Sequence, residues 1–315
     1  MKQPLVILTG PTAVGKSDLS IKLAKQINGE IISADSMQVY RGMDIGSAKI
    51  RPEEMQGIRH YLIDELDPKE PFHVVKFQEL AKKYMKEIWR RGKTPILVGG
   101  TGFYIQAVLY DIDFTENGED DSYRRELERI AVEKGADFLH QMLITVDPQA
   151  AMQIHANNIK RVIRALEFYH ETGTQISQHN EQERQKVSPY NAAYFVLNDD
   201  RSAIYQRINR RVDLMMEAGL VEEVEKLRKS GCTRDMVSMQ GLGYKEILDY
   251  LEGICPLEEA VYTIKRDTRH FAKRQLTWFK RERDVIWIQR DVWKQNENAM
   301  LEFMLRTLDE KNIKI

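Results

Sequence analysis

Eight consecutive residues carry the clearest chemical signal in the chain: Gly10, Pro11, Thr12, Ala13, Val14, Gly15, Lys16 and Ser17. Two glycines, a lysine and a hydroxyl residue at this spacing form a phosphate-binding loop. Glycine lets successive backbone N–H groups converge on one anion-sized hollow, and the lysine adds a cation. The expected ligand therefore carries a diphosphate or longer phosphate chain. Ser17 is the expected oxygen ligand of a magnesium ion. A functionless glycine-rich turn is the alternative, and the flanks argue against it. An apolar run at 5–8 precedes the loop, and a stretch with Leu19, Leu23, Ala24 and Ile27 on one helical face follows it.

Such a loop alone points to nucleotide hydrolysis or to phosphoryl transfer onto a small acceptor. Those reactions normally hold magnesium with an Asp that closes an apolar strand. Here the apolar run 96–98 ends instead in Gly99, Gly100, Thr101 and Gly102. The remaining carboxylate is Asp35, at the end of a second apolar run, 30–34. A strand end of that kind lies on the carboxyl edge of a sheet, where α/β folds make their binding crevice. In isolation an Asp there reads as a turn residue.

The elements that must position these residues alternate over the first third. After the strand and helix around the loop come a strand at 30–34, a helix marked by Phe77, Leu80, Ala81, Tyr84 and Ile88 that Gly92 ends, and a strand at 96–98. Alternation of this kind predicts a parallel α/β sheet of the P-loop kinase type. From Thr115 the pattern turns helical, with helices at 122–134, 148–155 and 158–170, and no strand until 194–197. Helices at 202–217, 220–229 and 257–282 and a strand at 285–288 complete the chain. The expected organisation is a P-loop core at 1–114, a helical insertion at 115–186, and the second part of the core with a basic helix at 187–315.

The 315 residues, 42% apolar and 30% charged, suit a globular protein with a large core, and no run is long and apolar enough for a membrane span. The short apolar run near the start fits neither a signal peptide nor a transit sequence, so a cytoplasmic location is expected. Cys232 and Cys255 are the only cysteines, which excludes a disulfide framework and a thiolate zinc site. The net charge of −1 hides two clusters. Glu116, Glu119, Asp120 and Asp121 are acidic, while residues 265–283 hold eight Lys or Arg against Asp267 and Glu282. At 100° per residue Arg266, Arg269, Lys273 and Lys280 share one face of that helix, opposite Ile264, Phe271, Trp278 and Phe279. The excess suits an RNA backbone, although many solvated helices look similar.

With the loop, Asp35-Ser36-Met37-Gln38-Val39-Tyr40, Asp44-Ile45-Gly46-Ser47-Ala48-Lys49 and Gly99-Gly100-Thr101-Gly102-Phe103-Tyr104, the chain resembles the bacterial tRNA dimethylallyltransferases. Further matching stretches begin at Asn158, at Gly241-Leu242-Gly243-Tyr244-Lys245-Glu246 and at Thr268-Arg269, so the resemblance spans nearly the whole chain. It implies transfer of a dimethylallyl group from dimethylallyl diphosphate to N6 of the adenosine 3′ of the anticodon, with release of diphosphate. The loop would then grip a leaving group, and Mg2+ would be the cofactor.

The resemblance also implies roles. Asp35 matches the general base, Thr101 a residue at the reacting centre, and Arg211 a diphosphate-binding arginine, with Arg210 a competitor. Arg207 reads as part of a solvated face. Contacts to the tRNA anticodon stem-loop are implied for Asp35, Ser36, Met37, Gln38 and Thr101, and for Ile159, Lys160, Arg161, Val162 and Ile163. Arg269, Lys273 and Arg274 join them, as does Arg124, which Arg125 could replace. A zinc finger found in eukaryotic relatives is ruled out by the cysteine count, and the expected state is a monomer. Three alternatives remain: an adenylate dimethylallyltransferase acting on a free nucleotide, a P-loop small-molecule kinase, and a noncatalytic RNA-binding module.

Overall fold

In the computed structural model of the protein, residues 2–114 and 122–313 are described; the acidic cluster at 116–121 lies outside them. The chain divides into two compact units, one made of Met1–Asp111 and Ser188–Ile315, the other of Ile112–Val187.

The first unit is built on a parallel sheet. Its strands are β1 (Pro4–Thr9), β2 (Gly29–Ser33), β3 (His60–Tyr61), β4 (Thr94–Gly99), β5 (Asn191–Asn198) and β6 (Val285–Gln289), in the order β3-β2-β4-β1-β5-β6. All pairings are parallel. Strand β1 is central, paired on its two edges with β4 and β5, and its residues Leu5 to Leu8 are all fully buried because helices cover the faces to which its side chains point. The chain leaves β1 through α1 (Lys16–Gln26) and returns at β2, one strand beyond β4. That skipped place opens a crevice at the carboxyl ends of the strands, where residues 10–17, Asp35 and Thr101 are set.

Around the sheet lie α2 (Val74–Arg90), α3 (Gly102–Leu109), and, after the second unit, α8 (Arg201–Glu217), α9 (Leu220–Lys229), α10 (Tyr244–Leu251), α11 (Leu257–Phe279) and α12 (Glu297–Glu310). Three of these elements, α3, α10 and α12, were not expected, nor was β3. Helix α3 is apolar nearly all round and almost wholly buried, so no helical period shows in its sequence. Helix α12 did carry a signal: Met300, Met304 and Leu308, spaced by four, pack with α1 against the sheet.

The second unit holds α4 (Ser122–Val146), α5 (Pro148–Gln153), α6 (Ile159–Thr172) and α7 (Ile176–Gln185). At Gly135 (φ 85°) the backbone of α4 is non-helical, at the expected end of a helix, yet helix resumes beyond it. Buried Asp147 caps α5 through the N–H of Ala150 and also accepts from the N–H and Oγ of Ser177, so one carboxylate fixes the starts of two helices. Among the described residues no helix is long and apolar enough to cross a membrane.

Candidate active site

The phosphate loop takes its shape from what surrounds it. Gly10 has φ +147°, and a Cβ there would lie 2.1 Å from the carbonyl oxygen of Leu197 on β5, so only glycine fits. Gly15, at φ +92°, begins α1 with no side-chain cap, leaving the helix N-terminus open to an anion. The Lys16 ammonium folds back onto the carbonyls of Gly10 (3.0 Å) and Pro11 (2.8 Å). Burial pushes its pKa down to about 7, helped by the charge of Arg211 and opposed by that of Asp35. The residue as a whole is half-buried, with its ammonium held by those two carbonyls.

Three more distant residues hold this loop. Arg207 on α8 donates to the Ala13 carbonyl (2.8 Å) and pairs with buried Asp199 (2.7 Å). It is therefore part of the loop's support and not of a solvated face. Gln275 on α11 accepts the Thr12 N–H at 2.8 Å. Arg290, beyond β6, packs so closely on Gly15 that a Cβ there would lie 2.6 Å from its Nη1.

Arg211 is half-buried on α8 and acts electrostatically on Lys16; its own pKa is lowered by burial, with Asp18 opposing and Arg207 adding to the effect. Arg210 is exposed. Helix geometry separates these neighbours, turning one toward the loop and the other outward.

Asp35 lies one residue past Ala34, whose N–H donates to Val98 (2.8 Å) and whose carbonyl accepts from Thr101 (3.2 Å). A Cβ on Gly99 would sit 2.2 Å from that carbonyl, so the glycine permits the ends of β2 and β4 to converge. Asp35 Oδ1 accepts from the N–H groups of Met37 (2.8 Å) and Gln38 (3.3 Å). Burial of the carboxyl raises its pKa against those hydrogen bonds and the charge of Lys16. Its Oδ2 has no hydrogen-bond partner among the described residues. Thr101 caps α3 by position only: its side chain makes no capping bond, which leaves the hydroxyl available.

The 44–46 turn is held by Glu223 of α9. Its carboxylate accepts from the N–H groups of Asp44 (3.0 Å), Ile45 (2.8 Å) and Gly46 (3.1 Å) and from the Tyr244 hydroxyl (2.8 Å). A Cβ on Gly46 would meet the Tyr244 ring, and one on Gly241 the Met37 sulfur at 2.8 Å. Gln38 accepts from Ser33 Oγ at 3.1 Å, so its side chain is partly engaged in shaping the turn. Glu223, Gln275 and Arg290 were missed because a single Glu, Gln or Arg on a helix or after a strand carries no local signal.

On α11 the basic stripe is rotated from its expected face. Arg266 pairs with Asp267, and Arg269 donates to Asn209 (2.7 Å). Lys273 and Arg274, with His270, Thr277, Trp278 and Arg281, line an open recess. In the second unit Val162 and Ile163 are core residues, so their side chains are unavailable to RNA; Lys160 and Arg161 are exposed and Ile159 is half-buried. Arg124 forms a two-point pair with buried Glu167 (2.8 and 2.7 Å), whereas Arg125 is exposed.

The family model described as IPP transferase matches residues 38–282. A tRNA dimethylallyltransferase of Lachnoclostridium phytofermentans is 63% identical over 311 residues, covering 99% of both chains. One from Carboxydothermus hydrogenoformans is 54% identical over 287 residues, 91% of this chain and 92% of that one. Among solved structures, a tRNA isopentenylpyrophosphate transferase from Bacillus halodurans is 48% identical with a TM-score of 0.74, covering 99% of this chain and 98% of that one. A eukaryotic dimethylallyltransferase acting on tRNA is 29% identical with a TM-score of 0.85, covering 99% of this chain and 80% of that one.

Proposed function

This chain belongs to the IPP transferase family, and from that premise we propose how its site performs the family's reaction. The activity is transfer of a dimethylallyl group from dimethylallyl diphosphate to N6 of adenosine 37 of tRNA, releasing diphosphate. One observation carries the residue assignment. Asp35, with a desolvated carboxyl and one oxygen free of hydrogen bonds among the described residues, lies within electrostatic reach of Lys16, on which Arg211 also acts, while no carboxylate closes β4.

The N6 lone pair is delocalised into the adenine ring, so the amine needs a base. As N6 attacks C1 of the dimethylallyl group, Asp35 Oδ2 takes the N6 proton, and the C1–O bond breaks with its electron pair leaving on diphosphate. Lys16, Arg211 and the N–H groups at the start of α1 meet the growing diphosphate charge. The Thr101 hydroxyl, on the residue whose N–H donates to the carbonyl next to Asp35 and which makes no capping bond of its own, would bridge the leaving oxygen and the incoming amine. Bringing the adenine here requires drawing it out of its stack, at a cost of a few kcal/mol. Lys273, Arg274, Lys160 and Arg161 supply exposed positive charge for the RNA backbone that offsets it.

Among the described residues no cluster of three or more His, Cys, Asp or Glu could hold a metal. A lone, exposed Ser17 hydroxyl at a phosphate loop fits Mg2+, which borrows most of its ligands from phosphate and water. Bound there, it would neutralise part of the diphosphate charge. We place the reaction in the cytoplasm, with the tRNA, and expect a monomer.

Incubating the protein with tRNA, dimethylallyl diphosphate and magnesium, then analysing nucleosides by mass, is expected to yield dimethylallyl-adenosine. Transfer to a tRNA whose adenosine 37 is replaced, preference for AMP over tRNA, or ADP formed from ATP with a small acceptor would each defeat this assignment.

A further inference from the structure

Helix α11 reaches the catalytic loops with one face. Ala272 shares a small apolar cluster with Ala13 of the phosphate loop and with Ile204 and Ile208 of α8. Nearly one turn later the buried amide of Gln275, only 6% exposed, accepts the Thr12 N–H through Oε1 at 2.8 Å. Its Nε2 donates to the Gly100 carbonyl at 2.9 Å. These two partners fix the orientation of the amide, since one presents a hydrogen and the other an oxygen. Glycines make the approach possible: a Cβ on Gly100 would lie 2.2 Å from Gln275 Nε2, and one on Gly102 2.2 Å from the Trp278 ring. Thr101 stands between those two glycines.

We infer that Gln275 is a positioning residue, joining the phosphate loop to the Thr101 loop so that leaving group and acceptor are aligned. The connection is continuous: Thr12 to Gln275, Gln275 to Gly100, and Thr101 to the carbonyl of Ala34, next to Asp35. Small errors of alignment at a reacting centre cost about a hundredfold in rate, so a single amide in this place has leverage. The inference rests on the prenyl-transfer assignment above.

Its test compares wild type, Gln275→Met and Gln275→Glu in single-turnover transfer with enzyme in excess, where an inactive fraction does not alter the rate constant. Melting temperature and tRNA affinity are measured alongside. Gln275→Met has a similar length and no polar atom able to bridge; it is expected to bind tRNA within about twofold of wild type and to transfer about 10- to 100-fold more slowly. In Gln275→Glu the protonated acid can accept from Thr12 and donate to Gly100, whereas the carboxylate cannot donate. Its rate relative to wild type should therefore rise as the pH is lowered. A wild-type rate constant in the Met variant, or a Glu-to-wild-type ratio flat with pH, overturns the inference; should the Met variant not fold, the ratio alone decides. If wild type itself transfers nothing, the activity assignment fails and takes the inference with it. If wild type and Gln275→Met transfer alike, only the inference fails.

Discussion

The phosphate loop at 10–17 and the segment from Asp35 to Lys49 meet at the same crevice, yet they are held in different ways. The loop's backbone conformation is set locally, by positive φ at Gly10 and Gly15 and by the N–H groups at the start of α1, and Arg207 and Gln275 then brace it from a distance. The acceptor segment has little regular structure of its own. Glu223, Tyr244 and Gly241, about two hundred residues downstream, hold it from outside. A phosphate needs converging donors, which a short backbone motif can provide. Under the proposed roles, a base that strips a proton from a flipped nucleotide needs rigid support, and Glu223 and Tyr244 would give it.

The sharpest way to divide the two regions is at the chemistry itself. Asp35→Asn keeps an oxygen for the Met37 and Gln38 N–H groups while removing the base, and should lower the transfer rate by about a thousandfold with tRNA binding retained. An unchanged rate would remove Asp35 from that role. As the proposed base, the same residue is expected to govern the acid limb of the pH profile. Burial raises its pKa, and the base works only when ionised, so kcat/KM should fall as pH drops through a value above that of an ordinary aspartate. An acid limb at an ordinary aspartate pKa would speak against a desolvated base.

On the phosphate side, Lys16→Ala should cost about ten- to hundredfold or more, chiefly in kcat/KM for dimethylallyl diphosphate. Equal weakening of tRNA binding would blur the division. On the acceptor side, Glu223→Ala removes a carboxylate with four hydrogen bonds and should lower stability by about 2 kcal/mol. Its kinetic effect, about tenfold, should fall on tRNA more than on diphosphate; chemical denaturation and steady-state kinetics read the two. The smallest effect belongs to the exposed residues of α6. Replacing Lys160 and Arg161 together by Ala should weaken tRNA binding several-fold and reduce its salt dependence by about one to two units of slope. An unaltered salt slope would show that neither meets phosphate.

Composition and pattern alone determined a good deal of this protein. Glycine at fixed spacing before Lys16 and Ser17 specifies a phosphate cradle, because only glycine supplies those backbone angles. Alternating apolar runs specify a parallel sheet and place Asp35 and Thr101 at its carboxyl edge. Which way neighbouring cations turn was beyond them. Arg211 faces Lys16 while Arg210 does not, Arg124 pairs with Glu167, and Val162 and Ile163 lie in a core. The support of the site by Arg207, Gln275, Glu223 and Arg290 was equally hidden. Local sequence encodes backbone conformation and periodicity. Hydrogen bonds between residues some two hundred positions apart leave no periodic trace, and only the packed tertiary structure decides them.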